Sequence, residues 1–230
     1  MHYVIINGVK SDAYSGLQIL KLPPITKPRM RTQISTVDGR AGDIITRLGY
    51  EAYNKKIEIL LHDAYDLDDI ERYFNSSGEI VFSNEPDKVY QFDTVESIDF
   101  ERAIKFKKAT VTFHVQPYKL AYQERAETFT SSPAGIYNYG NIESAPRIRV
   151  NGSGSVTLSL DNNTAFVITM PASEWIVIDS AEMNAYSGDN LANRNVIGSY
   201  DNIKLTPGLH SLSWSGTVTS IVVDNISRWV

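Results

Sequence analysis

Apolar and polar residues alternate with a period of two along most of this chain, the spacing of half-buried β-strands. In Lys55 to Leu61, Ile57, Ile59 and Leu61 face one way while Lys56, Glu58 and Leu60 face the other. In Ala109 to Val115, Thr110, Thr112 and His114 alternate with Val111, Phe113 and Val115. Tyr3 to Ile6 runs into Asn7-Gly8, a dipeptide that tolerates positive φ and predicts a tight hairpin turn. A strand through Leu17, Ile19 and Leu20 is stopped by Pro23-Pro24, because proline cannot donate to a sheet ladder. Ile80 to Phe82 and Val89 to Val95 read as further strands.

From Pro146 onward the chain reads as short strands alone: Ile148–Val150, Val156–Leu160, Ala165–Met170, Trp175–Asp179, Ile203–Leu205, Leu209–Trp214, Val218–Val223 and Ser227–Val230. Asn151-Gly152-Ser153-Gly154, Asp161-Asn162-Asn163, Pro171-Ala172-Ser173 and Pro207-Gly208 are the turns expected between them. One segment breaks the pattern. Leu67, Ile70 and Phe74 lie at i, i+3 and i+7, Asp66 is placed to cap, and Asp68 and Asp69 fall in the first turn, so a helix is predicted from Asp66 to Asn75. The fold class is therefore mainly β, with two β-sandwich modules divided within the polar stretch Glu124 to Gly140.

Composition narrows the function classes. The chain has 230 residues, 42% of them hydrophobic and 21% charged, enough to bury a core. A net charge of -5 argues against a general nucleic-acid binder. Cysteine is absent, which removes disulfides, zinc thiolates and a thiol nucleophile together. The N-terminal residues lack a basic leader and read as a strand, and no apolar run approaches the ~20 residues of a membrane span. A cytoplasmic product without a signal peptide or membrane insertion is expected. Charge is uneven: residues 61–101 hold two basic and twelve acidic side chains, whereas 1–60 hold nine and five and 102–149 hold eight and three. Such patches suit solvated surfaces, or subunits that dock head to tail.

Catalytic signatures are missing, and neither a cofactor nor enzymatic activity is expected. No nucleophile elbow, phosphate-binding loop or dinucleotide fingerprint occurs, and Gly152-Ser153-Gly154-Ser155 reads as a hairpin turn. His2, His62, His114 and His210 are scattered, and Asp63, Asp66, Asp68 and Asp69 lack the glycine and bidentate acid of a calcium loop. Aromatic rings could stack on sugars. Tyr137 and Tyr139 flank the module junction, Trp175 and Trp214 are expected in the core, and Tyr186, in a loop-like stretch, is the saccharide-contact candidate.

Several segments, taken in order, resemble the distal tail proteins of long, non-contractile-tailed bacteriophages. They are Val37-Asp38-Gly39-Arg40-Ala41-Gly42-Asp43; Asp66-Leu67-Asp68-Asp69-Ile70 through Gly78 to Tyr90; and Ala109 through Gln116-Pro117-Tyr118-Lys119. In the second half they are Tyr139-Gly140-Asn141-Ile142-Glu143-Ser144-Ala145-Pro146, Ile178 to Tyr186, and Leu205 to Trp214. The resemblance implies a belt domain over 1–128, a sandwich with one helix and a hairpin that forms a hexameric ring, with two rings possible back to back. It also implies a galectin-like or carbohydrate-module-like jelly roll over 129–230. The implied role is a structural hub at the virion tail tip, with the tail tube protein, a tail-tip protein and a receptor-binding protein or host saccharide as partners. In such a ring Asp87, Asp93, Glu96 and Asp99 are candidates to face the lumen, where negative walls would repel DNA phosphates without sequence-specific contact. The alternative is a free-standing module that binds host cell-surface saccharide.

Overall fold

The computed structural model describes every residue except 1, 63–64, 96–97, 99–106, 173 and 225. Two compact units divide the chain between Tyr122 and Gln123.

The first unit is an antiparallel sheet curled until its ends meet. Its strands are β1 (Val4–Ile6), β2 (Val9–Lys10), β3 (Leu17–Lys21), β4 (Met30–Ser35), β5 (Ile44–Tyr50) and β6 (Tyr53–Leu61). After helix α1 (Leu67–Phe74) come β7 (Gly78–Phe82), β8 (Lys88–Val95) and β9 (Lys108–Ala121). The sheet order is β2-β1-β7-β8-β9-β6-β3, and a bridge from His2 to Ile19 joins the start of the chain to β3. The expected N-terminal sandwich is thus built from one sheet that closes on itself like a small barrel, which leaves few free edges. Ile57, Ile59, Leu61, Val111, Phe113 and Val115 supply buried side chains, as their alternation predicts.

Local signals place the remaining pieces. Asn7 and Gly8 take φ of 48° and 82° in the β1–β2 turn. Asn7 Oδ1 accepts from Glu79 N–H, and a Cβ on Gly78 would lie 2.2 Å from that oxygen, so only glycine fits there. Asp66 caps α1 by accepting from Asp69 N–H at 3.2 Å. The helix buries Ile70, Tyr73 and Phe74 against the barrel, each worth roughly 1.5 to 3 kcal/mol. Strand β9 does not end at Gln116-Pro117. It continues to Ala121 because its pairing with β8 slips around that proline, so no ladder hydrogen bond is asked of it.

The second unit holds β10 (Glu127–Phe129), β11 (Ala134–Asn138), β12 (Arg147–Leu160), β13 (Asn163–Thr169) and β14 (Trp175–Asp179). Strands β15 (Asn184–Ser187), β16 (Asn190–Leu191), β17 (Val196–Gly198) and β18 (Gly208–Asp224) follow. A division after residue 128 would cut β10, which pairs with β18 of this unit. Two long strands, β12 and β18, run antiparallel along nearly their whole length. One end of the pair carries β10 and β14, the other β11 and β13. Ile148, Val150, Ile176 and Ile221 from the first end share a core with Leu158, Ile168, Ile136 and Leu212 from the second. The pair is folded over that core into a sandwich, with its corner made by strands that pass from one layer to the other.

The corner corrects the sequence reading. Gly152-Ser153-Gly154 is not a hairpin turn but the bend inside β12, and Leu209–Trp214 and Val218–Val223 are two halves of β18. Glycines permit the bend. A Cβ on Gly152 would meet Thr217 O at 2.2 Å, and one on Gly216, at φ +98°, would meet Ser155 O at 2.2 Å. Ile203–Leu205 is not a strand either. Tyr200–Ile203 forms a 3-10 turn that buries Ile203, and Leu205 makes a single bridge to Ser144.

Substituting alanine at Gly152 or Gly216 should therefore destabilise the second unit by roughly 1 to 3 kcal/mol, read as a lower urea midpoint. Gly154→Ala has open space around its Cβ and should cost about 1 kcal/mol or less for its positive φ alone. Equal losses at all three positions would contradict the close-approach account.

Candidate interaction surfaces

Strands β4 and β5 pair with each other and with no other strand among the described residues. A lone two-stranded ribbon is marginal in water, yet this one exposes much of its apolar content. Ile34 is 60% exposed, Ile45 opposite it 63%, and Leu48, at the bulge, 50%. Val37 and Ile44 near the tip are also exposed. A contiguous apolar ribbon left in water marks an interaction surface, and covering Ile34 and Ile45 would contribute roughly 1 to 2 kcal/mol each. Its glycine-rich tip is the 37–43 segment.

The root of this arm is fastened to the barrel. Pro23 and Pro28 are buried. Asn84 Nδ2 donates to Pro23 O at 2.9 Å and Lys55 Nζ to Pro24 O at 3.1 Å. Glu51 N–H donates to Arg29 O at 2.8 Å, and Tyr50 meets Tyr118 edge-on at 6.1 Å between centroids. The residues that end β3 thus become the acceptors that hold the arm.

Lys55 is 2% exposed and belongs to a buried polar cluster. Its ammonium lies 4.6 Å from the Tyr90 ring centroid and 5.6 Å from those of Phe82 and Tyr53. Lys119, also buried, pairs with Glu85 at 2.8 Å, and Tyr90 Oη donates to the other oxygen of that carboxylate. One carboxylate thus serves two ammonium groups. Burial lowers the Lys55 pKa to about 8, with attraction to Glu85 opposing and repulsion from Lys119 reinforcing the shift. Burial, reinforced by Glu85, pushes Tyr53 up to about 12.

In the second unit His210 is buried at the base of the turn after β12. Nδ1 lies 2.6 Å from Asp161 Oδ2 and Nε2 2.7 Å from Thr206 O. These two oxygens only accept, and although the Thr206 hydroxyl also lies 3.3 Å from Nε2, the two shorter contacts are both met when each ring nitrogen donates, so the imidazolium is the form that fits. Burial opposes that charge, but the bonds to Asp161 and Thr206 and the attraction of Asp161 outweigh it and raise the pKa.

The candidate residues are dispersed. Asp87 is exposed and pairs with Lys88 at 2.6 Å, which holds its carboxyl below the usual range. Asp93, exposed on β8, accepts from Gln116 Nε2. Glu96 and Asp99 lie outside the described residues. Tyr186 sits in strand β15 and not in a loop, half-buried, its hydroxyl donating to Glu182. Trp175 is not in the core: its strand neighbours Ile176 and Ile178 point inward, and Arg149 lies 4.4 Å over its ring on the outer face. Trp214 does pack against the core. Tyr137 and Tyr139 form an exposed pair with centroids 4.5 Å apart. Among the described residues no group of three or more His, Cys, Asp or Glu side chains could hold a metal ion, and no helix is long and apolar enough to cross a membrane.

The chain is thus an antiparallel β protein of two units, the first a barrel with a projecting apolar arm and the second a sandwich folded at a glycine corner. Over its full length it shares the fold of the Dit protein of phage SPP1, which is described as a hub adsorption apparatus of phages infecting Gram-positive hosts. The TM-score is 0.66 at 15% identity, covering 100% of both chains. A chain of the phage P2 baseplate, in its calcium-activated conformation, aligns with a TM-score of 0.43 at 9% identity, over 100% of this chain and 98% of that one. No family model matches the sequence, and no curated protein matches it either.

The buried cluster sets a pH dependence. Between about pH 8 and 10 the unfolded chain keeps Lys55 protonated while the folded chain does not, so stability should rise with pH in that window. Above pH 10 unfolded tyrosines ionise while Tyr53 stays neutral, and stability should fall again. Chemical denaturation across this range should show the maximum, and Lys55→Met should erase the rising limb; a limb that survives in the variant would discount the cluster. His210 acts with the opposite sign. Its raised pKa contributes stability that is complete below about pH 6.5 and lost as pH climbs through the folded value, a decline that His210→Gln should remove.

Proposed function

We propose that this chain is a structural, non-enzymatic subunit of a phage tail hub. It would form a ring at the distal end of the tail tube and join the tube to tail-tip and receptor-binding proteins. The observation that carries this reading is the full-length fold correspondence with the SPP1 hub protein, in which both units align and neither is left over. The exposed β4–β5 ribbon supports it, since Ile34, Ile45 and Leu48 require cover that the first unit does not supply. A second copy of the chain offers that cover in a repeating, closed arrangement. A hexamer is the ring we favour, made in a bacterial host and found at the virion tail tip.

In such a ring the acidic segment 61–101 would face the lumen in part, with Asp93 contributing more than the Lys88-paired Asp87. Neutralising Asp87, Asp93, Glu96 and Asp99 should impair genome ejection and leave assembly intact; unchanged ejection would remove the lumen assignment.

Light scattering at two protein concentrations tests the ring. A hexamer of the 25.7 kDa chain has a mass of about 154 kDa. Ile34→Asp with Ile45→Asp should return it to a monomer that keeps the β-sheet circular dichroism of the wild type, because within one subunit both side chains face water, while the thermal midpoint falls by the contribution of assembly. A wild-type monomer at both concentrations, even with a tube or tail-tip protein added, would overturn the reading.

A further inference from the structure

Strand β11 is the edge of one layer of the second unit, in the order β11-β18-β12-β13-β17. Its neighbour shows which way its free backbone groups face. Ser211, opposite Gly135, sends both of its groups away from β11: its N–H donates to Asp161 Oδ1 at 2.8 Å, and its C=O accepts from Asp161 N–H at 2.9 Å. In an antiparallel ladder, residues opposite each other either exchange both bonds or turn both groups outward. Gly135 and, two residues on, Tyr137 therefore turn N–H and C=O away from β18. The flanks agree. Trp214 N–H, in phase with Leu212, reaches to the β11 side and meets Ser132 Oγ at 2.9 Å. Tyr139 N–H, in phase with Gly135 and Tyr137, donates to Ser227 Oγ at 3.1 Å. Among the described residues, no hydrogen bond reaches the outward N–H and C=O groups of Gly135 and Tyr137.

The other edges of this unit are guarded. Strands β10, β16 and β17 have three, two and three residues, with Glu127, Asp189 and Arg194 in or beside them. β11 has five, and no charged residue occurs from Thr128 to Ile142. Natural sheets shield an open edge with short strands, charge, proline or a bulge. Here Pro133 stands before the first residue of β11, and the five pairs with β18 run without a shift of register. The layer behind the edge is neutral as well. No acid, base or histidine occupies an outward strand position on it, so the uncharged face is five strands wide.

An open ladder fixes the chemistry of its occupant, because an extended backbone presents N–H and C=O groups at the matching spacing. The shelf beside it selects side chains. Tyr137 and Leu209, opposite each other, are 44% and 71% exposed, and the Tyr139 ring lies 4.5 Å from that of Tyr137. Gly135 is exposed and bare, with Leu209 Cδ1 3.4 Å from where its Cβ would stand. An aromatic or large aliphatic side chain on an added strand covers such an edge glycine. A charged segment would lose hydration there and find no counter-charge on this face. We propose that the outer edge of β11 takes up an extended, uncharged segment of a partner protein by strand addition. The segment bonds to the backbone of Gly135 and Tyr137 and lays an aromatic or large aliphatic residue over Gly135. The site uses no residue of the β4–β5 arm and does not rest on ring formation.

Peptide binding to the full chain tests it, read by fluorescence anisotropy and by deuterium exchange. The probe is a short, labelled peptide of alternating threonine and valine with one tryptophan, capped at both ends. The comparison is the same peptide with its backbone amides N-methylated. The plain peptide is expected to bind and to slow exchange within 134–138, and N-methylation should weaken binding about tenfold or more. Gly135→Pro removes the N–H that faces the open edge, leaves the ladder to β18 intact, and should weaken binding about as much. Gly135→Lys, whose Cβ has room, sets a charge at the edge and should do the same while circular dichroism stays that of the wild type. No binding of the plain peptide overturns the proposal. So does binding that N-methylation or Gly135→Lys leaves unchanged. Self-association that Gly135→Lys abolishes, without peptide binding, overturns it in favour of a second copy at this edge.

Discussion

The arm of the first unit depends on a charge that the barrel does not fully compensate. Lys55 is held among Tyr90, Phe82 and Tyr53 with Glu85 already bound to Lys119, so its ammonium finds a carbonyl, Pro24 O, as its direct partner. A proline carbonyl suits this role, because the residue has no N–H to satisfy and its φ is fixed. Burying an ammonium with half a counterion destabilises the fold, which is why its pKa falls. What the barrel gains is position. The chain leaves β3, is fixed at Pro23 and Pro24, and enters the ribbon from a defined point, so an element with little packing of its own is aimed all the same.

The second unit solves a different problem with backbone alone. Strands β12 and β18 are too long for one layer, and folding them over a shared core requires both backbones to pass within touching distance. Glycines at 152 and 216 sit where the partner strand's carbonyl would strike any side chain. The consequence reaches the surface: a corner made inside continuous strands leaves each layer with its own outward set of residues, with Arg147, Arg149 and Asp179 on one and Thr157, Ser159, Ser213 and Ser215 on the other.

What could be read from sequence follows the range of the interactions. The helix, its Asp66 cap and the Asn7-Gly8 turn were legible because each is decided within a few residues. The alternation that assigned Ile57, Ile59, Val111 and Phe113 to the core held for the same reason. The glycine corner was misread as a turn because a glycine cluster looks alike whether it reverses the chain or lets another strand approach, and the strand it meets lies more than sixty residues away. Trp175 was misassigned because large aromatics usually fill cores, whereas its parity on β14 points it outward under Arg149. The Lys55 cluster was missed although the alternation held its signal: Lys55 is in phase with Ile57, Ile59 and Leu61, yet a lysine is ordinarily a surface residue, and the carboxylate and aromatic rings that make its burial possible come from distant strands.

The same limit governs the candidate sites. Acidic residues near one another in sequence suggested a single electrostatic feature, yet Asp87 and Asp93 each engage a local partner, Lys88 and Gln116. The uncharged face is the reverse case. Its members come from five segments spread between residues 134 and 215, none of them unusual alone, since a serine or threonine in a strand is an ordinary solvent-facing choice. Register turns that ordinary choice into a property, because it sets one hydroxyl beside the next and leaves no position for a charge. A surface selected only for solubility would interleave lysine and glutamate there.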